Sequence, residues 1–298
     1  MRISTGILQR PINHPLGQGP TSAAGPADQE SRAQPRGSSE LANPPIGDVM
    51  ADTGARYRAV SGEVFIEGPG DGRAIHPNDV RQGALGDCYF MASLAAIARS
   101  DPQTLQKNIR DNADGSYTVT LYERQPPGTR GRGFDRREIR VSADLPVEGG
   151  RLAFAQGGDT HARETELWVA LYEKAFAKLA GSYANIEGGR GHEAMEAITG
   201  KESASHSPTR KSLETIDRAL RKGDAVTAGT LPRMFALDDR LFNDGTLVAS
   251  HEYYVVGVDR NKGTVTVRNP FGWQFGPTTL AIEDFIRCFG RVSINSGG

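Results

Sequence analysis

Sulfur is scarce in this chain: its 298 residues include two cysteines, Cys88 and Cys288. A disulfide-framed secreted scaffold and a cysteine-rich zinc module are thereby excluded. Net charge is equally lacking. The 35 Lys and Arg residues against 36 Asp and Glu leave −1, so no global field draws nucleic acid or an anionic membrane. No apolar stretch approaches the roughly 20 residues of a membrane-spanning helix; the longest runs only from Phe90 to Ala98. The first twenty residues contain no signal-peptide core, and Arg10-Pro11 interrupts what apolar character there is. Aromatic residues are missing before Tyr57, whereas seven of the seventeen prolines precede residue 51. Such a segment buries too little apolar surface to offset its chain entropy, so residues 1–55 are predicted to be a disordered tail. The chain reads as soluble, without membrane insertion or nucleic-acid partners, and as a monomer. Its expected location is the cytoplasm, or a host cell reached by a non-Sec secretion route if the source is a bacterium with a secreted effector.

Ordered signals begin at Tyr57–Val60 and Glu63–Glu67, followed by a glycine-rich turn at Gly68–Gly72. A helix is predicted from Cys88 to about Ala98, because Met91, Leu94, Ala95 and Ala98 recur at three- and four-residue spacing. Ser116–Tyr122 and Arg137–Ser142 alternate with period two around a Pro/Gly/Arg loop, the pattern of a β-hairpin. Arg130, Arg132, Arg136 and Arg137 make that loop basic, and solvation accounts for them. The clearest helix runs from about Thr165 to Ala180. Its row Trp168, Tyr172 and Phe176 reads as core, and Gly181 stands where a terminating glycine belongs. Further helices are predicted at His192–Ile198 and Leu213–Lys222, and strands at Ala225–Ala228, Glu252–Asp259, Gly263–Arg268 and Arg291–Ile294. Gly188-Gly189-Arg190-Gly191 lacks the spacing of a phosphate loop, so nucleotide binding is not expected.

Cys88 opens an apolar helix directly after Gly86-Asp87. A lone cysteine there is commonly a buried packing residue. Three features oppose that reading. A sulfur in the first helical turn faces unpaired backbone N–H groups and the positive end of the dipole, which favours thiolate. Gln82 precedes it by six residues in a tight, glycine-punctuated loop that can turn its amide back toward the sulfur. His251 opens one predicted strand and Asn269 ends its hairpin partner, so the two side chains can be neighbours. An amide oxygen accepting from the imidazole would fix its tautomer and leave the other ring nitrogen for the cysteine. The order Cys, His, Asn is that of papain-like cysteine proteases. By contrast, His161 and His192 share no ligand spacing, and Cys288 reads as core packing.

The segment Gln82-Gly-Ala-Leu-Gly-Asp-Cys88-Tyr-Phe-Met-Ala-Ser-Leu-Ala-Ala resembles the active-site segment of the calpain family of cysteine proteases. Glu166-Leu-Trp-Val-Ala-Leu-Tyr-Glu-Lys-Ala-Phe-Ala-Lys-Leu-Ala-Gly-Ser-Tyr183, with Gly188-Gly189, resembles the family's central helix and interlobe strip. His251-Glu-Tyr-Tyr-Val-Val-Gly-Val and Arg268-Asn-Pro-Phe-Gly resemble its histidine and asparagine blocks, and Ile282-Glu-Asp-Phe-Ile-Arg the block that closes its protease core. The resemblance implies an α+β, papain-like two-lobed fold: a helical lobe, 56–190, with the nucleophile, and a β-rich lobe, 191–298, with His251 and Asn269. It implies a bare protease core and an endopeptidase that cleaves protein or peptide substrates through an acyl-enzyme thioester. Cys88 would be the nucleophile, His251 its imidazolium partner that later protonates the leaving amine, Asn269 the orienter of the ring, and Gln82 with the Cys88 backbone N–H the oxyanion donors. Gly189 would pair with substrate backbone. Phe271 replaces the family's usual Trp, Tyr89 the Trp after the nucleophile, and Ser250 the Gly before the histidine, where it would alter the substrate-binding wall.

No cofactor is required by this chemistry, but the family core carries calcium sites. Asp79 and Glu166 occupy carboxylate positions of one, with Gly72 and Ala74 placed to offer carbonyls. A helix cap or a salt bridge is the commoner role of such carboxylates, and both readings stand. The second calcium site lacks its acids at Trp273-Gln274-Phe275. Two other functions share these residues: a calpain-fold binding module without catalysis, and a thiol acyltransferase or deamidase.

Overall fold

The computed structural model describes residues 55–67, 73–126, 128, 133–158 and 165–297. By its contacts the chain divides into 1–37 and 38–298, and all described residues belong to the second unit. The predicted tail (except Ala55), Gly68–Gly72, Arg130, Arg132 and His161 lie outside the described residues.

Along the chain, strands β1 (Arg56–Ala59) and β2 (Gly62–Glu63) precede a 3-10 turn at Pro77–Asp79 and helix α1 (Cys88–Ser100). Helix α2 (Pro102–Lys107) leads to β3 (Ile109–Asp111), β4 (Ser116–Arg124), β5 (Phe134–Ser142), β6 (Asp144–Glu148), β7 (Arg151–Leu152) and β8 (Thr165–Glu166). Helices α3 (Trp168–Ala180) and α4 (Gly191–Thr199) follow, then β9 (Ser203–His206), α5 (Ser212–Lys222) and β10 (Ala225–Thr230). The chain closes with α6 (Arg240–Asn243), β11 (Glu252–Asp259), β12 (Thr264–Arg268), β13 (Thr278–Ala281), α7 (Ile282–Cys288) and β14 (Phe289–Asn295). The class is α+β. The first half is richer in strand than the sequence suggested, with β1–β8 all preceding residue 167.

The largest sheet has six strands in the order β13-β12-β11-β10-β14-β9, each pair antiparallel. Two three-stranded sheets, β1-β6-β7 and β3-β4-β5, belong to the first half. The predicted hairpin is β4–β5, in register from Ser116↔Ser142 to Arg124↔Phe134. Its Arg136 and Arg137 pair with Glu138 at 2.6 Å and Glu123 at 2.5 Å, as solvated charges do.

Helix α1 is apolar on every side, and Tyr89 through Ala98 are all buried, the signature of a central helix. It packs on α4, β10 and β11, and Arg99 ties its C-terminal end to the Val256 carbonyl at 2.9 Å. Phe176 of α3 stacks on Phe90 of α1 with centroids 4.2 Å apart. Gly181 ends α3 at φ 98°, a left-handed conformation that favours glycine. One apolar cluster joins α1, α3, α4 and β4; a second joins α5, α7 and the six-stranded sheet. Tyr254 of β11 and Ala225 of β10 reach into the first cluster. Among the described residues no helix is long and apolar enough to cross a membrane.

Candidate active site

Antiparallel pairing of Tyr254 with Arg268 in β11 and β12 brings together the residues just beyond the strand ends, His251 and Asn269. The His251 backbone is clamped by Thr230 of β10. Its N–H donates to Thr230 Oγ1 at 2.9 Å, its carbonyl accepts from Thr230 N–H at 2.8 Å, and the Thr230 hydroxyl donates to the Val248 carbonyl at 2.7 Å. Ser250, just before it, has φ 53°, a left-handed backbone costly for any residue with a Cβ. The imidazole packs edge-on to Tyr253 at 5.1 Å and against Phe271 at 4.7 Å. Its Nε2 lies 2.9 Å from Asn269 Oδ1, and the same oxygen accepts from Phe271 N–H at 3.0 Å. With Oδ1 as acceptor, Nε2 carries the hydrogen and Nδ1 is left as the base. Burial lowers the pKa of His251, opposed by the Asn269 hydrogen bond.

Cys88 is the first residue of α1. Burial pushes its thiol up to about 11, against the opposing pull of backbone hydrogen bonds from Glu252 and Tyr89. Burial thus opposes the thiolate that the start of a helix favours. Beneath the thiol lies a carboxyl pair that the sequence did not flag. Asp87 is fully buried beside the Glu173 carboxyl of α3, and among the described residues neither of its carboxyl oxygens has a hydrogen-bond partner. Both Glu173 oxygens face the Ala155 N–H, at 3.0 and 3.1 Å. Burial raises both groups, Asp87 to about 7.

Cys88 and His251 line one cavity of about 370 Å³ together with Tyr89, Gly189, Ser250, Glu252 and Arg291. Gly189 lies flat on the Tyr89 ring, where a Cβ would come within 2.3 Å of it. Among the described residues no hydrogen bond uses the Gly189 backbone, while its neighbour Gly188 donates to the Gly86 carbonyl at 2.9 Å. The Gln82 amide Nε2 donates to the Leu85 carbonyl at 2.7 Å, and its backbone N–H donates to Pro270 at 2.9 Å. The loop before Cys88 is thus joined to the loop after Asn269. Gln82 adjoins this site through its bond to Pro270, and Phe271 packs on the His251 ring.

Glu252 is a third residue that sequence reasoning missed. Only 4% exposed, it accepts from Thr227 Oγ1 at 2.7 Å through Oε1. Burial raises its pKa to about 7, offset in part by that bond and by the charge of Arg291.

The candidate calcium residues are engaged with backbone. Asp79 caps the 3-10 turn through a 2.6 Å bond from His76 N–H, and Glu166 Oε1 accepts from Ile66 N–H at 2.9 Å. Ala74 is described, whereas Gly72 lies outside the described residues. Among the described residues no three His, Cys, Asp or Glu side chains gather as a metal site. These backbone bonds account for the contacts of Asp79 and Glu166 given above, and no step below runs through calcium. His192 is half-buried and Cys288 is buried, its Sγ 3.6 Å from the Asp238 carbonyl.

A family profile described as "calpain family cysteine protease" matches residues 71–276. The chain is 29% identical to calpain-9 of Rattus norvegicus and 30% identical to calpain-8 of Mus musculus. In each case the match covers 204 residues, 65% of this chain and 28% of the relative. It is 28% identical over 268 residues to a calpain of Schistosoma mansoni, covering 72% of this chain and 33% of that protein. The chain thus spans a third or less of the length of these relatives.

Proposed function

Because the chain belongs to the calpain family of cysteine proteases, we propose that it is a cysteine endopeptidase that cleaves protein substrates in the cavity shared by Cys88 and His251. The observation that carries this reading is the 2.9 Å bond from His251 Nε2 to Asn269 Oδ1, made at the edge of a cavity that Cys88 also lines. A papain-like arrangement in two lobes, 56–190 and 191–298, is supported by one apolar cluster built wholly from residues after 212; another, built mostly from residues before 190, also takes in residues of α4 with Ala225 and Tyr254.

The first step moves the Cys88 proton to His251 Nδ1 as the sulfur attacks the peptide carbonyl carbon. The carbonyl π pair becomes the oxyanion, which the Cys88 N–H and the second N–H of the Gln82 amide would stabilise. Collapse of the intermediate expels the amine, which takes the proton from Nδ1 and leaves a thioester. Water, deprotonated by His251, then hydrolyses the thioester and restores the thiol. Asn269 holds the ring in the one tautomer that serves both transfers. The free backbone of Gly189 supplies hydrogen bonds for an extended substrate.

The test is labelling by an epoxysuccinyl peptide, which occupies the cavity as a substrate does. Wild type is expected to gain one adduct and Cys88→Ala none; a folded wild type that stays unlabelled overturns the reading. Turnover is expected to be the same with and without a calcium chelator, since Asp79 and Glu166 serve as backbone acceptors. Loss of activity on chelation would reverse that expectation. Gln82→Ala is expected to lower kcat by about 10²–10³, and a deamidase or acyltransferase would appear as thioester transfer without peptide cleavage.

A further inference from the structure

Resting on the reading above, we propose that Glu252 selects substrates with a lysine or arginine side chain at the position that enters the pocket beside the thiol. The cavity wall carries two charged side chains besides the imidazole, Glu252 and Arg291. Glu252 follows His251 directly in the sequence, and its backbone N–H faces the Cys88 sulfur, so its carboxylate is fixed relative to the reacting atoms.

The space around that carboxylate is made by two glycines. A Cβ on Gly191, at the start of α4, would stand 2.4 Å from Glu252 Oε1 and 2.2 Å from Thr227 Oγ1. A Cβ on Gly229, in β10, would stand 2.6 Å from Oε2. Any larger residue at either position would displace the carboxyl group. The two oxygens are not equivalent. Oε1 is held by Thr227 at 2.7 Å, whereas Oε2 lies beside Gly229, itself a cavity-lining residue. Among the described residues Oε2 has no hydrogen-bond donor, and no ion pair joins Glu252 to Arg291. The anchored carboxylate therefore keeps one oxygen for an incoming group.

A buried carboxylate with an unused acceptor rewards a donor far more than an apolar side chain. Lysine and arginine bring such a donor on a long stem that can cross the cavity, and their charge favours the ionised carboxyl group. An apolar side chain would strip water from Oε2 and return nothing, which makes the site selective by penalty as well as by attraction.

The experiment profiles the full chain on a peptide library, then compares two matched peptides that differ only in Lys or Leu at the position found. Wild type is expected to enrich Lys and Arg at one position within two residues of the cleaved bond. Its kcat/KM ratio for Lys over Leu is expected to be at least about tenfold, and to fall by about that factor in Glu252→Gln, which keeps the shape and the Thr227 bond. The ratio does not move if the substitution merely weakens folding. Enrichment of Leu or Val at every position near the bond in active wild type overturns the proposal, as does enrichment of Asp or Glu drawn by Arg291. An unchanged ratio in Glu252→Gln also overturns it. A folded wild type that neither cleaves nor takes the epoxysuccinyl label fails differently: there the protease reading falls, and the specificity falls with it.

Discussion

Asn269 uses one oxygen twice, for His251 Nε2 and for the Phe271 N–H. One side chain therefore holds both the ring and the aromatic lid over it. Asn269→Ala is expected to lower kcat about 10–100-fold with little change in KM, since it removes the tautomer control and leaves the cavity intact; steady-state kinetics check this. Ser250, at φ 53°, makes the opposite case. Its side chain makes no hydrogen bond among the described residues, so Ser250→Gly relieves strain of about 1 kcal/mol. Thermal melting is expected to rise by roughly 2–4 °C. The histidine–asparagine pair was readable because a hairpin with an Asn261-Lys-Gly263 turn fixes which residues meet. Glu252 was not readable. Residues 252–255 of β11 are all buried, so the strand is covered on both faces and its alternation says nothing about where an acidic side chain points.

Helix α1 begins over the buried Asp87–Glu173 pair, and the pair makes its N-terminus a pH-sensitive element. Burial holds both carboxyl groups above their ordinary values, Asp87 at about 7. The folded chain therefore binds more protons than the unfolded chain between about pH 4 and 7. The contribution is full below pH 4 and is lost as pH rises through 7. Melting temperature, corrected for other titrating groups by comparison with Asp87→Asn, is expected to fall across that interval. The variant should show a flatter profile; identical slopes in both proteins would refute the assignment. Helices α1 and α3 were visible in the sequence because spacing and a terminal glycine agree. Helix α7 was not, since seven residues with Ile282, Phe285 and Cys288 buried owe their shape to the sheet beneath them rather than to propensity. Strand β9 escaped for a similar reason: Ser203–His206 carries no apolar residue larger than alanine, and it pairs because β14 offers an edge.

The two largest apolar clusters do not stand alone. Tyr254 and Ala225 of the large sheet pack into the first cluster, and Arg268 reaches across to Asn78 at 2.7 Å. Gln82 N–H to Pro270 and Arg99 to the Val256 carbonyl add two more ties, each 2.9 Å. These ties join the two sides, which are therefore expected to unfold together. Calorimetric and van't Hoff enthalpies should agree within about 10% for the main transition; two separate peaks would contradict this. The same joining explains why the sequence suggested the architecture through its motifs but not through its composition, since a shared core leaves no linker to read. Of the two sulfurs, both are pushed up to about 11, Cys88 and Cys288 alike. Peroxide oxidises the thiolate far faster than the thiol, so the same burial that holds back ionisation at both positions also slows their oxidation, and protection from peroxide and delay of the nucleophile have one physical cause.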